Sequence, residues 1–557
     1  MGYIEGQARG QLEMMPPCLE DYVSEENPVR LIDGFIQTLD IEACGFKRGK
    51  PAQEGRPGYD PRMLLGLYVY GYNNRIRSSR RLAKETERNV EVMWLCNRLT
   101  PDFRTIADYR KDNVDAMYTV FRKWNEVCTT LGLFGKEYVS IDGSKFKANN
   151  SKDRNFTLTK LDERLKRIEE HIKEYMGALE KADAREEDER KLSREEIGRK
   201  LVELRERKEQ YEGYLEQMEE TGATQISLTD PEAKLMKFKE GYEVGYNIQT
   251  AVDSKEHMIA GFKVSDHPAD NGLIECVAQE VKQSYGVDIL ETVEDKGYHD
   301  KEDMVRCLES GIIPHVHPAR DFETFTLTTE YEGGDIGQEQ KGSTKAEDIK
   351  ACLRAGVIPQ VYSGVIREIE IGQEKVYEQK PRVDETYKTV QEMQEKAKSG
   401  YFVRDLVRDR VYCPAGEILR YKAHHRGECR YSNKLACERC MQKCCGDKFK
   451  VVSFREGATQ VGCRAYGNET NRRAEYRKAT IKKVVRIKFK PDERKLDTRK
   501  NLSEHPFGSV KHWDQAGYFL LRGMRKVRGE LSLSYLAYNM KRALKVCGLR
   551  KIVAAFT

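Results

Sequence analysis

"TVEDKGYHDKEDM", residues 292–304, is the stretch on which the reading of this chain turns. A strand-like run, Ile289 to Val293, leads straight into Glu294 and Asp295, and Gly297 then breaks it. Asp303 to Ser310 follows as a helix. A carboxylate at the C-terminal end of a strand sits where open α/β sheets place their ligands. A lone aspartate there is more often a turn or helix cap. Only convergence with other carboxylates separates the two readings.

Working outward, "NGLIECVAQEVKQSYG" (271–286) reads as the helix before this strand, and "GIIPHVHP" (311–318) as the strand after the next helix. Upstream, "GYEVGYNIQTAVD" (241–253) alternates Tyr242, Val244, Tyr246, Ile248, Thr250 and Val252, with "HMIAGFKVSD" as its hairpin partner. "KEYVSIDGSKFKANN" (136–150) reads as a further strand ending at Asp142, again followed by glycine. Between these strands, residues 158–220 place Leu161, Leu165, Ile168, Ile172, Met176 and Leu179, then Leu192, Ile197, Leu201, Leu204, Tyr211, Leu215 and Met218, at spacings that fit an antiparallel coiled-coil hairpin. The fold class expected is a mixed α/β sheet interrupted by a helical hairpin.

Residues 1–130 read as wholly helical. "PRMLLGLYVYGY" (61–72) has helical spacing, with Pro61 suited to a first turn, and Ser78 or Ser79 can cap the helix after "NNRIRSS". Arg75, Arg77, Arg80, Arg81 and Lys84 surround this turn in the manner of a helix-turn-helix DNA-binding unit. "EDMVRCLESGIIPHV" (302–316) recurs as "EDIKACLRAGVIPQV" (347–361) with eight of fifteen positions identical, which predicts a duplicated helix–strand unit. The polar stretch 328–345 between the copies reads as a loop.

The chain has 557 residues, of which 34% are charged, and a mean hydropathy of -0.73. No run of 18 apolar residues exists, and the N-terminus lacks a signal peptide's apolar core, so a cytosolic protein with no membrane partner is expected. From Arg464 onward, 24 Lys and Arg stand against 8 Asp and Glu, although the whole chain carries only +6. Such asymmetry points to an anionic polymer, nucleic acid first.

Two strand-end aspartates suit divalent metal ions, since hard cations prefer carboxylate oxygens. "RKNLSEHPFGSVKHW" (499–513) offers a third acid: Glu504, Phe507 and Lys511 share one face of a helix starting near Pro506. Two metals there would activate a water or a 3′-hydroxyl and stabilise the leaving oxygen of a phosphodiester. Glu530 is the alternative third acid, and Glu294 points away from Asp295 by strand alternation.

Seven of the 15 cysteines lie between Cys413 and Cys463, including the C-x-x-C pair Cys437 and Cys440. Structural zinc, a redox pair and buried reduced thiols are the three readings, with Cys429, Cys444 and Cys463 also available as ligands.

"IDGSKFKANNSKD", "GYNIQTAVDS", "EDKGYHDKED" and "SEHPFGSVKHWDQAGYFLLRGMRKVRGELSLSYLAYNMKR" together resemble bacterial insertion-sequence transposases of the DDE type. "PPCLEDYVSEENPVRLIDGFIQTLDI" and "YDPRMLLGLYVYGYNNRIRSSRRLAKETERN" resemble their InsH-like N-terminal domain. The resemblance implies a ribonuclease-H-like core with catalytic, Mg²⁺- or Mn²⁺-binding Asp142, Asp295 and Glu504, and Lys511 on phosphate. It also implies a cysteine-bearing insert, in which Cys413, Cys437, Cys440 and Cys445 match the family's zinc spacing. Many relatives carry a tyrosine and then an arginine before the glutamate; here Asp497 and Thr498 replace the tyrosine, and Arg499 and Lys500 supply the basic member.

The domains that follow are a helical DNA-binding domain (1–130), the first part of the core (136–157), the inserted hairpin (158–220) and the core continued (225–318). After them come an insert with the repeated unit (319–400), the cysteine-rich module (401–465) and the basic end of the core (466–557). The implied partners are element ends and target DNA, held by a homodimer on the bacterial nucleoid. A silent DNA-binding protein and a metal-dependent nuclease without strand transfer are the alternatives.

Overall fold

The computed structural model describes residues 18–50, 57–150, 154–183, 190–221, 225–317, 324–379, 387, 389–425, 428–440, 449–455, 461–464 and 476–556. The chain divides into two compact units, 1–155 with 227–371 and 485–557, and 156–226 with 372–484.

Among the described residues before Tyr138, the first unit forms helices and no strand, as its periodicity predicts. Helix α1 (Pro61–Asn73) starts at Asp60, whose side chain accepts from the Arg62 N–H at 2.8 Å, with proline in the first turn. Helix α2 (Ser79–Arg88) follows a turn in which Arg75 adopts φ 63°. Helix α3 (Val114–Thr130) buries Met117, Val120, Phe121 and Trp124.

The sheet comprises β1 (Tyr138–Lys147), β2 (Lys234–Phe238), β3 (Gly241–Asp253), β4 (Ile259–Ser265), β5 (Leu290–Glu294) and β6 (Ile312–Val316). Its path runs β2-β3-β1-β5-β6, with β4 also paired to β3. β3 and β4 are antiparallel to their neighbours, whereas β1, β5 and β6 run parallel. β3 is buried on both faces from Val244 to Asp253, so its alternation does not mark one wet face. The reason is cover on both sides. Helices α4 (Ile274–Tyr285) and α5 (Lys301–Glu309) pack on one face. Helices α6 (Glu493–Gly508) and α7 (Met524–Cys547) pack on the other, and α7 also packs against α1 and α3. Asn539 of α7 bonds Asn125 of α3 and the Ile259 carbonyl, each at 2.9 Å.

Three expectations are corrected. Asp142 does not end its strand but lies in the middle of β1, paired with Thr250. Gly143 is required by close approach instead: a Cβ there would sit 2.3 Å from Asp270 Oδ1 and 2.6 Å from Gln249 Nε2. The second repeat forms its helix, Ala346–Arg354, but then a short 3₁₀ turn, Gln360–Tyr362, rather than a strand. Ile358 and Val361 still pack on the core. The stretch 328–345 is not wholly loop, since it contains the end of a strand (Phe325–Glu330) and a short helix (Gln338–Gly342).

The second unit holds the helical pair Leu158–Asp183 and Arg190–Thr221, which buries Leu161, Ile168, Leu201, Tyr211 and Met218, while Met176 stays exposed. It also holds a six-stranded antiparallel sheet built from segments between Tyr401 and Arg464. Among the described residues no helix is long and apolar enough to cross a membrane.

Candidate active site

Asp142 and Asp295 are brought together by strand register. Ser140 pairs with Val293 across the parallel β1–β5 ladder, so two residues on Asp142 and Asp295 stand side by side on one face. Asp295 also does what a turn aspartate does: its Oδ1 accepts from the Gly297 N–H at 2.7 Å and caps the turn Lys296–Tyr298. The turn reading of the opening stretch is thus realised in Asp295, with a second carboxylate, Asp142, beside it.

Burial raises the Asp142 carboxyl to about 6, and the Asp295 charge adds to this. Ser503, Arg499 and the Gly143 N–H oppose the rise. The Arg499 guanidinium lies 3.6 Å from Asp142 Oδ2. Arg499 and Ser503 are one turn apart on α6, which packs on this face of the sheet.

Helix α6 begins at Asp492, whose carboxylate accepts from the Arg494 N–H at 3.0 Å, and not near Pro506 as the sequence reading expects. Pro506 lies inside the helix, in its last turn, just before a π-helical turn over Ser509–Trp513. The "PDE" signal at 491–493 marks the true start. Beyond the helix, Lys511 Nζ donates to Ser144 Oγ at 2.5 Å and to the Lys145 carbonyl at 2.7 Å. Ser144 shares the Asp142 face of β1. Burial, with Lys239 nearby, lowers the Lys511 ammonium to about 8, against the pull of Asp142.

Glu504 follows Ser503 on α6 and is exposed, with no hydrogen bond or ion pair to either aspartate among the described residues. Among those residues, no group of three or more His, Cys, Asp or Glu side chains is already gathered as a metal cluster. Glu294 is fully buried on the opposite face, where burial and the charges of Asp303 and Asp295 push its carboxyl well above the usual carboxylate range. Glu530 lies within α7, accepting from the Leu520 and Leu521 N–H groups and from Arg77 at 2.8 Å. It is a structural anion, away from the aspartates.

The basic residues of the helical turn divide. Arg77 is buried, donating to Glu530 and to the Gln515 and Tyr518 carbonyls, and so is committed to the interior. Arg80, Arg81 and Lys84 are exposed along α2, Arg75 is exposed in the turn, and Lys500 is exposed on α6.

In the second unit Cys413 and Cys429 are buried in one small core on which Cys437 packs. Burial pushes the Cys413 thiol up, and Cys440 adds to the shift. Cys445 and Cys444 lie outside the described residues. Sequence reasoning missed Ser503, which no motif distinguishes from other helical serines.

Residues 17–112 match the family model described as "Transposase domain (DUF772)", which supports a transposase family for this chain. No curated protein matches it. The matched stretch includes α1, α2 and the basic turn between them.

Proposed function

We propose that this chain is a DDE-type DNA transposase, cutting element ends and joining their 3′-hydroxyls to target DNA. The observation that carries the proposal is the placement of Asp142 on β1 beside Asp295, which lies just past the end of the parallel strand β5. The order β4-β3-β1-β5-β6, with three antiparallel and then two parallel members, supports a ribonuclease-H-like core around them.

Neighbouring carboxylates are a fitting donor set for divalent cations, which prefer hard oxygen ligands. Asp142 and Asp295 would hold Mg²⁺ or Mn²⁺, two ions in all, with Glu504 as the third acid presented from α6. Bound there, such ions supply Lewis-acid charge to the phosphate and lower the pKa of an attacking water or hydroxyl. Lys511 holds a positive charge beside Ser144 for a phosphate oxygen. Arg499 keeps Asp142 oriented, and Lys500 lies beside it for the DNA backbone. The exposed cations of α2, with Arg75, would grip the element end. No serine or tyrosine nucleophile is needed, because the strand transfer proceeds by in-line displacement.

Two copies would pair the two ends, and the protein would act on nucleoid DNA in the bacterial cytoplasm. Cys413, Cys437 and Cys440, with Cys445, would hold a structural zinc ion. One observation favours a DNA-binding protein without catalysis: the three carboxylates are not gathered.

Linear DNA carrying the element's ends, incubated with Mg²⁺ or Mn²⁺, tests both readings. Wild type should cleave at the ends, while Asp142→Asn, Asp295→Asn and Glu504→Gln should each lose at least ~100-fold in rate with DNA binding retained. Binding without cleavage by wild type would establish the silent reading. Cleavage without joining would reduce the enzyme to a nuclease.

A further inference from the structure

Helix α6 and the turn after it carry a second functional face. Glu504, Phe507 and Lys511 form one side, with Lys511 reaching β1. His505, Ser509 and Trp513 recur every four residues on another side and line a pocket of about 550 Å³. Arg75, from the turn before α2, and Lys541, Arg542 and Lys545 of α7 complete its wall, four cations against the single carboxylate of Asp514. That carboxylate is already held by Lys541 at 2.7 Å and approached by Arg75 at 4.0 Å.

Trp513 is out of place for a structural residue. It is 69% exposed, whereas Trp124 is fully buried. No other ring or cation stacks on it among the described residues. A large indole held in water beside cations is the arrangement by which proteins hold unpaired bases, the ring stacking and the cations meeting phosphates. The cavity is far larger than one phosphate requires and lies in the range of small-molecule sites.

We propose that this pocket binds an unpaired nucleotide of a DNA strand, its base stacked on Trp513 and its flanking phosphates on Arg75, Arg542 and Lys545. His505 directly follows Glu504, so the nucleotide would lie close to the proposed scissile phosphate. The site rests on the transposase reading only for that last placement. An extruded base is least costly where a duplex is nicked, mismatched or already open.

The test is tryptophan emission of the full-length protein in EDTA, titrated with a 12-nucleotide single-stranded oligodeoxynucleotide. Saturable quenching is expected with the single strand and with a duplex carrying one unpaired nucleotide, and not with a fully paired blunt duplex. Trp513→Phe should remove most of the quench, and Trp513→Ala should weaken single-strand affinity by ~5-fold or more, as loss of one stacked base does. Lys545→Ala should lower the salt slope of single-strand binding by about one. Unchanged affinity in both alanine variants, or equal quenching by paired duplex, would overturn the proposal. Equal affinity for free dTMP and the oligonucleotide would overturn it as well, making the pocket a mononucleotide site. Without metal no cleavage occurs, so quenching by Asp142→Asn tells the pocket apart from the catalytic reading: the pocket stands if that variant is quenched like wild type.

Discussion

A proton on Asp142 couples the site to folding. The folded chain holds that carboxyl near 6 against an ordinary 3.8, so between these values it binds the proton more tightly than the unfolded chain does. This group's contribution to stability is therefore complete below about pH 4 and is lost as pH rises through 6. Replacing it by Asn removes that loss. In EDTA, Asp142→Asn should gain roughly 1–3 kcal/mol over wild type at pH 7.5 and little or nothing at pH 4, read from urea midpoints. A wild type with the same pH slope as the variant would show that Asp142 ionises without penalty. The same residue shows what a single sequence discloses. The Asp-Gly pair was legible as a special place, but the glycine's cause was not, because Asp270 and Gln249 behind it are distant in the chain. Arg77 likewise looks like its neighbours in the basic turn, and only its contacts with Gln515, Tyr518 and Glu530, distant in the chain, make it structural.

Elements disclose themselves where local chemistry decides them. The helical hairpin, β3 with β4, and α1 with its proline start all follow from periodicity and caps that neighbours in sequence supply. The second repeat forms a 3₁₀ turn where its sequence matches a strand, so sequence likeness alone did not decide the element. Helix α6 was misplaced because Pro506 is a strong start signal that here falls in a last turn. How elements join is fixed by contacts that no periodicity reveals. Gly529 of α7 meets Val114 at the start of α3 so closely that a Cβ would lie 2.4 Å from its carbonyl oxygen. The Arg77–Glu530 pair ties α7 to the turn between α1 and α2. Glu530→Gln leaves the buried Arg77 charge without its anion and should cost about 3–5 kcal/mol in urea unfolding. DNA affinity per folded molecule should stay unchanged. A loss of affinity at full stability would mean that Arg77 serves DNA after all.

At the scale of the molecule, the basic excess of the C-terminal stretch, with the exposed cations of α2, sets the strength of association with any polyanion. Each phosphate neutralised releases condensed counterions, so the logarithm of the binding constant falls with the logarithm of salt by about 0.9 per contact. A protein of this charge pattern should make on the order of six to ten such contacts, losing roughly 10³–10⁵ in duplex affinity between 50 and 200 mM salt. Arg80, Arg81 and Lys84 lie along one exposed helix and carry no ion pair among the described residues. Their joint replacement by Ala should therefore lower the slope by two to three with little change in stability. Arg77→Ala, by contrast, should unfold the chain before it reports on DNA. A slope unaltered by the triple replacement would take the element-end contact away from α2 and leave the cations of α6 and α7 to carry it.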